Sequence, residues 1–166
     1  MPDSGPVLHM FCGKIAAGKS TLAARLAEAP GTVLVSEDIW LHGLYADQMS
    51  TLRDFVEYSG RLRSVLAPHL SHLLDAGVSV VLDAQANTVA SRRWMMGIVR
   101  EAKVSHQLHL LDPPDDVCLE RLRARNAAGT HAFAATEEQF YQTMKYFEPP
   151  LAEEGLNIVR YEGPAQ

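Results

Sequence analysis

The residues with the clearest chemistry lie near the start of the chain, where residues 13–21 read Gly-Lys-Ile-Ala-Ala-Gly-Lys-Ser-Thr. This is the full G-x-x-x-x-G-K-[ST] pattern of a phosphate-binding loop, and it directly follows an apolar run at 7–12. Backbone N–H groups of such a loop turn toward phosphate oxygens, and the next helix directs its positive end at them. We expect Lys19 to reach the β- and γ-phosphates and Ser20 to hold Mg²⁺. The predicted nucleotide-binding residues of the loop are Gly13, Lys14, Ala16, Ala17, Gly18, Lys19, Ser20 and Thr21.

Two carboxylates follow predicted strands at positions where they would face a bound triphosphate. Asp38 lies three residues after the apolar run 32–35, where a carboxylate can accept a proton from a substrate hydroxyl that attacks the γ-phosphorus. Asp83 follows the apolar run 78–82 and is a candidate ligand of Mg²⁺, together with the serine of the phosphate loop. Each position has a structural alternative, because Asp38 or the neighbouring Glu37 could cap a helix and Asp83 could cap a turn.

A transferring phosphoryl group needs cations on an element that closes over it, and a predicted helix supplies three arginines. Arg121 and Arg125 are four residues apart and share one helix face, whereas Arg123 points away. Small residues follow at 127–133, so we predict a mobile lid over about 121–136 with Arg125 as a catalytic charge stabiliser. A solvated basic helix face is the structural alternative.

The segment from Trp40 to Tyr58 is the best candidate for binding a phosphate acceptor, because it combines aromatic and acidic residues with few cations. An acidic, aromatic-lined cleft suits a cationic or sugar-like acceptor, although acids on a solvated helix face would give the same pattern. Arg92 and Arg93 follow the loop after Asp83 and either contact the γ-phosphate or the acceptor, or are surface charges. The predicted substrate-binding residues are Asp38, Trp40, Tyr45, Asp54, Tyr58, Asn87 and Arg92.

Five apolar runs alternate with helical periodicity, which predicts a three-layer α/β fold with a mainly parallel sheet. The first two runs are nearly continuous in apolar residues, as expected of strands that are covered on both faces. Gly60 and Pro68 are expected to break or bend the long second helix. Strands are predicted at 7–12, 32–35, 78–82, 107–111 and 157–161, and helices at 19–28, 52–76, 89–102, 114–126 and 136–146.

Composition places the chain among ordinary globular proteins, since 166 residues with 47% hydrophobic and 21% charged side chains suit a single domain, 1–166. The net charge of −5 disfavours a long nucleic acid as a partner. No apolar stretch approaches the ~20 residues that span a bilayer, and the N-terminus lacks the features of a signal peptide, so the cytoplasm is expected. Cys12 and Cys118 have no disulfide or metal spacing and are predicted to be small core residues.

Taken together, these features resemble the small P-loop kinases, among them gluconate kinase, shikimate kinase, chloramphenicol phosphotransferase, the zeta-type toxins and the kinase half of phage polynucleotide kinase. The resemblance implies a sheet order of 2-3-1-4-5. It also implies that the first lid arginine, Arg121, packs on adenine and that Arg125 contacts phosphates. The likeness rests on the loop 13–21, Ser-x-Asp at 36–38, Asp83, and Arg121-Leu-Arg-Ala-Arg125 followed by His131 and Phe133.

The resemblance also implies an activity, the ATP- and Mg²⁺-dependent transfer of the γ-phosphate to a hydroxyl group of a small molecule. ATP is favoured over GTP because the Asn-Lys-x-Asp stretch of guanine-binding proteins does not occur. The segment from Trp40 to Tyr58 has no basic pocket for a sugar acid, so an antibiotic-resistance enzyme that phosphorylates an aminoglycoside, a polycation, is the leading hypothesis. Two alternatives stay open: a zeta-toxin-like nucleotide-sugar kinase, and an ATP-binding regulatory NTPase that has no small-molecule acceptor.

Overall fold

The centre of the fold is a five-stranded sheet in which every strand pair is parallel. A computed structural model describes residues 5–129 and 134–162. Its strands are β1 (Val7–Gly13), β2 (Thr32–Ser36), β3 (Ser79–Gln85), β4 (Ser105–Leu111) and β5 (Ile158–Tyr161). They pair in the order β2-β3-β1-β4-β5. The predicted parallel sheet and its 2-3-1-4-5 order are therefore confirmed, and the carboxyl end of β1, which carries the phosphate loop, lies at the middle of the sheet.

Helices cover both faces of this sheet. They are α1 (Lys19–Leu26), α2 (Glu37–Tyr45), α3 (Leu52–Asp75), α4 (Val89–Ala102), α5 (Asp115–Ala128) and α6 (Glu137–Lys145), with 3₁₀ turns at Ala46–Gln48 and Ala152–Glu154. Met10 and Phe11, adjacent in β1, point to opposite faces and belong to two separate core clusters. The cluster around Met10 includes side chains of α2, α3 and α4, and the cluster around Phe11 includes those of α1, α5 and α6. This is the predicted three-layer arrangement.

Helix α2 is not among the helices predicted from the sequence, although a helix capped by Asp38 or Glu37 was considered as an alternative. The helix begins after Ser36, whose Oγ accepts a hydrogen bond from the backbone N–H of Ile39 at 3.4 Å. Leu41 is buried, but Ile39 and Leu44 are exposed, so apolar residues occur around the helix and the usual one-sided periodicity is absent. The position of α2 matters for function because it holds Asp38 in its first turn.

Of the expected break or bend at Gly60 and Pro68, the break does not occur, because helix α3 is continuous through both residues. A glycine costs about 1 kcal/mol and a proline about 3 kcal/mol in a helix interior. Burial of one side of the helix against the sheet outweighs this cost, as it does for most helices in proteins. The buried leucines of that side are Leu62, Leu66, Leu70 and Leu74.

Strand β2 differs from the expectation that it is covered on both faces. Val33 and Leu34, on opposite faces of the strand, are 40% and 39% exposed. The strand lies at the edge of the sheet, where the flanking helices cover less of each face. Strand β1 is the strand that meets the expectation, since Leu8 and residues 10–12 are fully buried.

Both cysteines, Cys12 and Cys118, are free and buried, in agreement with their predicted place in the core. Among the residues that the structure describes, no helix is long and apolar enough to cross a bilayer. Over the same residues, no group of three or more histidine, cysteine or acidic side chains is arranged to hold a metal ion.

Candidate active site

The phosphate loop connects the end of β1 to the start of α1 in a strained, left-handed path. Gly18, the residue before the helix, has φ 103°, which favours glycine because it has no Cβ. Ala16 has φ 60°, an uncommon conformation for a residue with a side chain. Such strain is often found where a backbone is shaped for a ligand. The turn is closed by a hydrogen bond from the N–H of Ala17 to the carbonyl of Lys14 at 3.1 Å.

Lys19 lies inside the loop, where its charge is available for a polyphosphate. Its Nζ donates to the carbonyl oxygens of Gly13 and Lys14, each at 2.6 Å. Burial lowers the pKa of Lys19 to about 8, and the negative charge of Asp83 opposes this shift. Phosphate oxygens would supply the negative charge that this desolvated ammonium lacks. The predicted role of Lys19 therefore agrees with its position.

Lys14, by contrast, directs its side chain away from the loop, toward the segment after β4. Its Nζ donates to the carbonyl of Pro113 at 2.9 Å and to Asp115 at 2.5 Å, and it lies 3.4 Å from Asp112. The predicted contact of this residue with a nucleotide is thus limited to its backbone. Its side chain instead ties the phosphate loop to the start of α5.

Asn87 supports the phosphate loop, which differs from its predicted role in substrate binding. The backbone N–H of Gly13 donates to Asn87 Oδ1 at 2.9 Å, and Asn87 Nδ2 donates to the Gly13 carbonyl at 2.9 Å. Both polar groups of the amide are therefore used to fix the first residue of the loop. Asn87 therefore positions the phosphate loop, and its contact with an acceptor stays a prediction.

Asp38 follows β2, and Asp83 lies near the carboxyl end of the neighbouring strand β3. Ser36 at the end of β2 pairs with Asp83 in β3, and Asp38 lies two residues beyond Ser36. Helix α2 is capped by Ser36, so neither Asp38 nor Glu37 is the capping residue. Strand β3 continues two residues past Asp83, which places this carboxylate within the strand and half-buried. Both aspartates stay candidates for chemistry.

Arg125, on α5, interacts electrostatically with both Lys19 and Asp38. Burial lowers the pKa of Arg125, and the carboxylate of Asp38 opposes that shift. The charge of Arg125 also contributes to lowering the pKa of Lys19, so the three residues share one electrostatic environment. Arg125 Nε is buried and has no hydrogen-bond partner among the described residues. A cation with an unused donor beside the phosphate loop is suited to an incoming phosphate oxygen.

Arg121 lies one turn earlier and contacts the phosphate loop directly, since its Nη1 donates to the carbonyl of Ala17 at 3.2 Å. Arg123 points away, as predicted, and forms an exposed ion pair with Glu137 at the start of α6. The predicted lid, 121–136, is described only in part. His131 and Phe133, which carried part of the family resemblance, lie outside the described residues.

The predicted Mg²⁺ ligands fit that role in position and chemistry. Ser20 is exposed in the first turn of α1, directly after Lys19. Asp83 lies close enough to Lys19 for its charge to raise the pKa of that lysine. The hydroxyl of Ser20 and the carboxylate of Asp83 are oxygen ligands of the kind that Mg²⁺ prefers, so both residues could hold this ion.

An arginine that the sequence did not single out joins α2, α3 and α4. Arg63 Nε donates to Glu37 Oε2 at 2.9 Å and its Nη2 donates to Oε1 at 3.3 Å. Its Nη1 donates to Ser91 Oγ at 3.1 Å, and its guanidinium lies over the ring of Trp94, 4.9 Å from the ring centre. No local signal could reveal this contact, because Arg63 and Glu37 are 26 residues apart.

Three of the acids that suggested a cationic acceptor, Glu37, Asp54 and Glu57, have partners within the protein. Glu37 pairs with Arg63, and Glu57 pairs with Arg61 one turn further along α3. Asp54 accepts hydrogen bonds from the backbone of Ser50 and Thr51 and forms the capping box of α3. Asp54 therefore has a structural role, and its predicted contact with substrate stays a prediction.

The aromatic residues of the same segment behave differently from one another. Tyr45 and Tyr58 stack with ring centres 4.5 Å apart and pack against the core. Trp40 is partly exposed on α2, two residues after Asp38. Trp40 thus stays available to an acceptor, whereas the tyrosine pair helps to fix α2 against α3.

Arg92 does not contact substrate, contrary to prediction, because its side chain is completely buried. Its Nε and Nη2 bind the two carboxylate oxygens of Glu154 at 2.8 and 3.1 Å. The same guanidinium also donates to the carbonyls of Ala86, Glu148 and Pro149. All of its N–H groups serve to hold the segment after α6 against α4.

A pocket of about 340 Å³ opens beside the phosphate loop. It is lined in part by Gly13, Lys14, Asp112, Phe147 and Arg160, and neither Lys19, Asp38 nor Asp83 is among its lining residues. The pocket therefore lies next to the candidate catalytic group rather than over it.

The family model described as an AAA domain matches residues 8–150. No curated protein matches the chain significantly.

Three solved structures show similarity over nearly the whole chain. A candidate kinase from Chloroflexus aurantiacus has a TM-score of 0.73 at 21% identity, covering 96% of this chain and 86% of that one. The APS kinase CysC from Mycobacterium tuberculosis, in complex with AMPPNP and APS, has a TM-score of 0.62 at 22% identity, covering 99% and 92%. A gluconokinase from Sinorhizobium meliloti has a TM-score of 0.60 at 17% identity, covering 98% and 84%. At these identities the likeness establishes the fold of the P-loop kinases.

Proposed function

Since this chain belongs to the AAA domain family and has the fold of the small P-loop kinases, we propose that it transfers the γ-phosphate of ATP to a hydroxyl group of a small molecule. The observation that carries the proposal is the electrostatic grouping of Lys19, Asp83, Asp38 and Arg125 at the end of the phosphate loop. A loop that only bound a nucleotide would not require a carboxylate of α2 and an arginine of α5 whose charges interact.

In this proposal the phosphate loop, Lys19, Asp38 and Arg125 each have a separate role in phosphoryl transfer. Backbone N–H groups of the phosphate loop and Lys19 hold the β- and γ-phosphates. The oxygen of the acceptor hydroxyl bonds to the γ-phosphorus, and the carboxylate of Asp38 accepts the proton of that hydroxyl. At the same time the bond between the γ-phosphorus and the oxygen of the leaving ADP breaks. Arg125 stabilises the negative charge that spreads over the transferring oxygens.

The metal belongs to the same proposal. Ser20 and Asp83 would hold Mg²⁺, which neutralises charge on the β- and γ-phosphates when it is bound. This assignment is supported by the oxygen donors and by the place of both residues beside Lys19.

The acceptor class is the least constrained part of the proposal. An aminoglycoside, as an antibiotic-resistance substrate, is one candidate, but three of the acids that favoured it, Glu37, Asp54 and Glu57, are paired or serve as a helix cap. A nucleotide sugar is the second candidate from the family resemblance. The cytoplasmic location and the single domain over 1–166 stay predictions from the sequence.

The proposal is tested by incubating the protein with labelled ATP, Mg²⁺ and a panel of aminoglycosides, chloramphenicol, sugar acids and nucleotide sugars. Once a labelled product is found, Asp38→Asn should lower kcat by about 10²–10⁴-fold, because the amide cannot accept the proton. Asp47→Asn is the matched control, since Asp47 is an exposed aspartate of the same segment, and it should retain full activity.

Two results would contradict the proposal. Full activity of the Asp38→Asn variant would remove Asp38 from the mechanism. Tight ATP binding with no product from any acceptor would instead favour the regulatory NTPase.

A further inference from the structure

We propose that Arg63 binds an oxyanion of the acceptor, such as a carboxylate, sulfate or phosphate group, and so selects acceptors that carry one. This inference rests on the proposed function and names the class of substrate for the same site. It reverses the expectation, drawn from acidic residues in the sequence, that the acceptor is cationic.

The guanidinium of Arg63 is held in one orientation from three directions. Glu37 binds it through both carboxylate oxygens, at 2.9 and 3.3 Å, and Ser91 binds the other Nη at 3.1 Å. Trp94 covers one face of its plane. A charged group fixed in this way loses little conformational entropy when it binds a ligand. Such preorganisation is typical of binding sites.

The described contacts leave part of the guanidinium unused. Arginine carries five N–H donors, of which Nε, one on Nη2 and one on Nη1 are engaged. One donor remains on each Nη, and this pair, here called the fork, is suited to the oxygens of a carboxylate, sulfate or phosphate. The side chain is 22% exposed, so this fork is within reach of a small molecule.

The partners of Arg63 place this residue near the proposed acceptor region. Its partner Glu37 directly precedes Asp38, the proposed base, and consecutive Cα atoms are about 3.8 Å apart. Its other partner, Ser91, lies four residues after Asn87, which binds Gly13 of the phosphate loop. Arg63 therefore lies among the elements that carry the general base and support the nucleotide site.

The charge of the surroundings agrees with an anionic ligand. Glu37 balances the charge of Arg63 and holds the guanidinium in place, and it leaves one N–H donor on each Nη unused. Asp54 and Glu57 are engaged in a helix cap and in an ion pair with Arg61. The described acids of this region other than Asp38 and the exposed Asp47 are thus neutralised or capping, and they do not form a cation-binding cleft.

The test compares acceptors that differ only in an oxyanion, for example gluconate with sorbitol and adenosine 5′-monophosphate with adenosine. Binding of each probe to the AMPPNP-loaded protein is measured by calorimetry, and phosphorylation is measured with labelled ATP. In at least one pair, the anionic probe is expected to bind about tenfold or more tightly than its neutral partner. This measurement does not depend on turnover, so a failure of the proposed phosphotransfer is seen separately.

Arg63→Lys keeps the charge beside buried Glu37 but removes the planar fork. It should reduce the preference for the anionic probe to near unity and raise its KM about 10- to 100-fold, with a smaller change in kcat and an unchanged KM for ATP. Arg61→Lys is the matched control, because Arg61 is an exposed arginine two residues away, and it should change neither value.

The double variant Glu37→Gln/Arg63→Gln covers the case in which Arg63→Lys folds poorly, because it removes both charges of the pair together. It should show the same loss of preference. The inference is overturned if no anionic probe binds better than its neutral partner, or if the preference survives in both variants.

Discussion

Asn87 and Gly13 bind each other through both polar groups of an amide, with the two hydrogen bonds each 2.9 Å long. This pairing joins the end of β3 to the first residue of the phosphate loop. The Gly13 carbonyl also accepts a hydrogen bond from Lys19, so one peptide unit connects the loop lysine with the neighbouring strand. Nucleotide affinity should therefore depend on a residue that is not part of the phosphate-loop motif.

Replacing Asn87 tests this dependence. Asn87→Asp removes the donor to the Gly13 carbonyl and places a negative oxygen near it, so ATP affinity should fall about tenfold or more. Asn87→Ala should have a similar effect. Asn157→Ala is a suitable control, because Asn157 also donates its side chain to a backbone carbonyl, that of His106, but far from the loop. Calorimetry with ATP is the measurement, and unchanged affinity in both Asn87 variants would contradict the prediction.

Gly13 is predicted to tolerate no side chain. A Cβ at this position would lie 2.6 Å from the carbonyl oxygen of Leu111 in β4. Because that atom belongs to the backbone of a central strand, Gly13→Ala should push β1 and β4 apart and lower the free energy of unfolding by about 1–3 kcal/mol.

Gly60→Ala provides the comparison for Gly13→Ala. Nothing lies within 4 Å of the position of its Cβ, and Gly60 is inside α3, so this variant should gain up to about 1 kcal/mol. Both values come from urea unfolding followed by circular dichroism. Equal stability of the two variants would show that β1 and β4 can adjust.

The parts of this protein that could be predicted from sequence are those whose signals are local. The phosphate loop is a contiguous motif, and the apolar runs that form β1 and β3 are short and bounded by turn residues. The four-residue spacing of Arg121 and Arg125 was enough to separate them from Arg123, which pairs with Glu137 on the surface.

The parts that could not be predicted depend on contacts between distant residues. Arg92 looked like a surface or substrate-binding cation because its partner Glu154 lies 62 residues later in the chain. The ion pair of Arg63 could not be predicted from nearby residues, because its partner Glu37 lies 26 residues earlier in the chain. Side chains of charged residues have similar local surroundings whether they bind substrate or each other, and only the fold distinguishes the two cases.

Lys19 should take up a proton when ATP binds at alkaline pH. Its pKa is about 8 in the protein without nucleotide, lowered chiefly by burial, and the charge of bound phosphates should raise it. At about pH 9 the lysine is mostly neutral before binding and protonated afterwards, whereas near pH 7 it is already protonated. ATP affinity should therefore fall as pH rises through about 8.

Calorimetry in buffers of different ionisation enthalpy measures this proton directly. We expect an uptake approaching one proton at about pH 9 and a much smaller uptake near pH 7. Lys103→Met removes an exposed lysine at the end of α4 and should leave the uptake unchanged. The absence of any difference between the two pH values would show that Lys19 does not titrate in this range.

His109 should make the fold less stable in mild acid. Its Nε2 lies 3.0 Å from Nδ1 of His9, its Nδ1 lies 2.9 Å from the hydroxyl of Tyr161, and the residue is only 2% exposed. Burial, together with His9, lowers the pKa of His109 from 6.5 to about 4. Between these values the unfolded chain binds more protons than the folded protein, so stability rises with pH across this window.

The contribution of His109 is complete above about pH 6.5 and is lost as pH falls toward 4, by roughly 3 kcal/mol in total. Urea unfolding at several pH values should therefore give a slope that becomes markedly flatter in His109→Gln, which cannot titrate. The slope is the informative quantity, since Gln also changes the stability at every pH through its altered packing. His69→Gln replaces an exposed histidine of α3 and should keep the original slope. If His109→Gln kept that slope as well, carboxylates rather than this buried imidazole would account for the acid sensitivity.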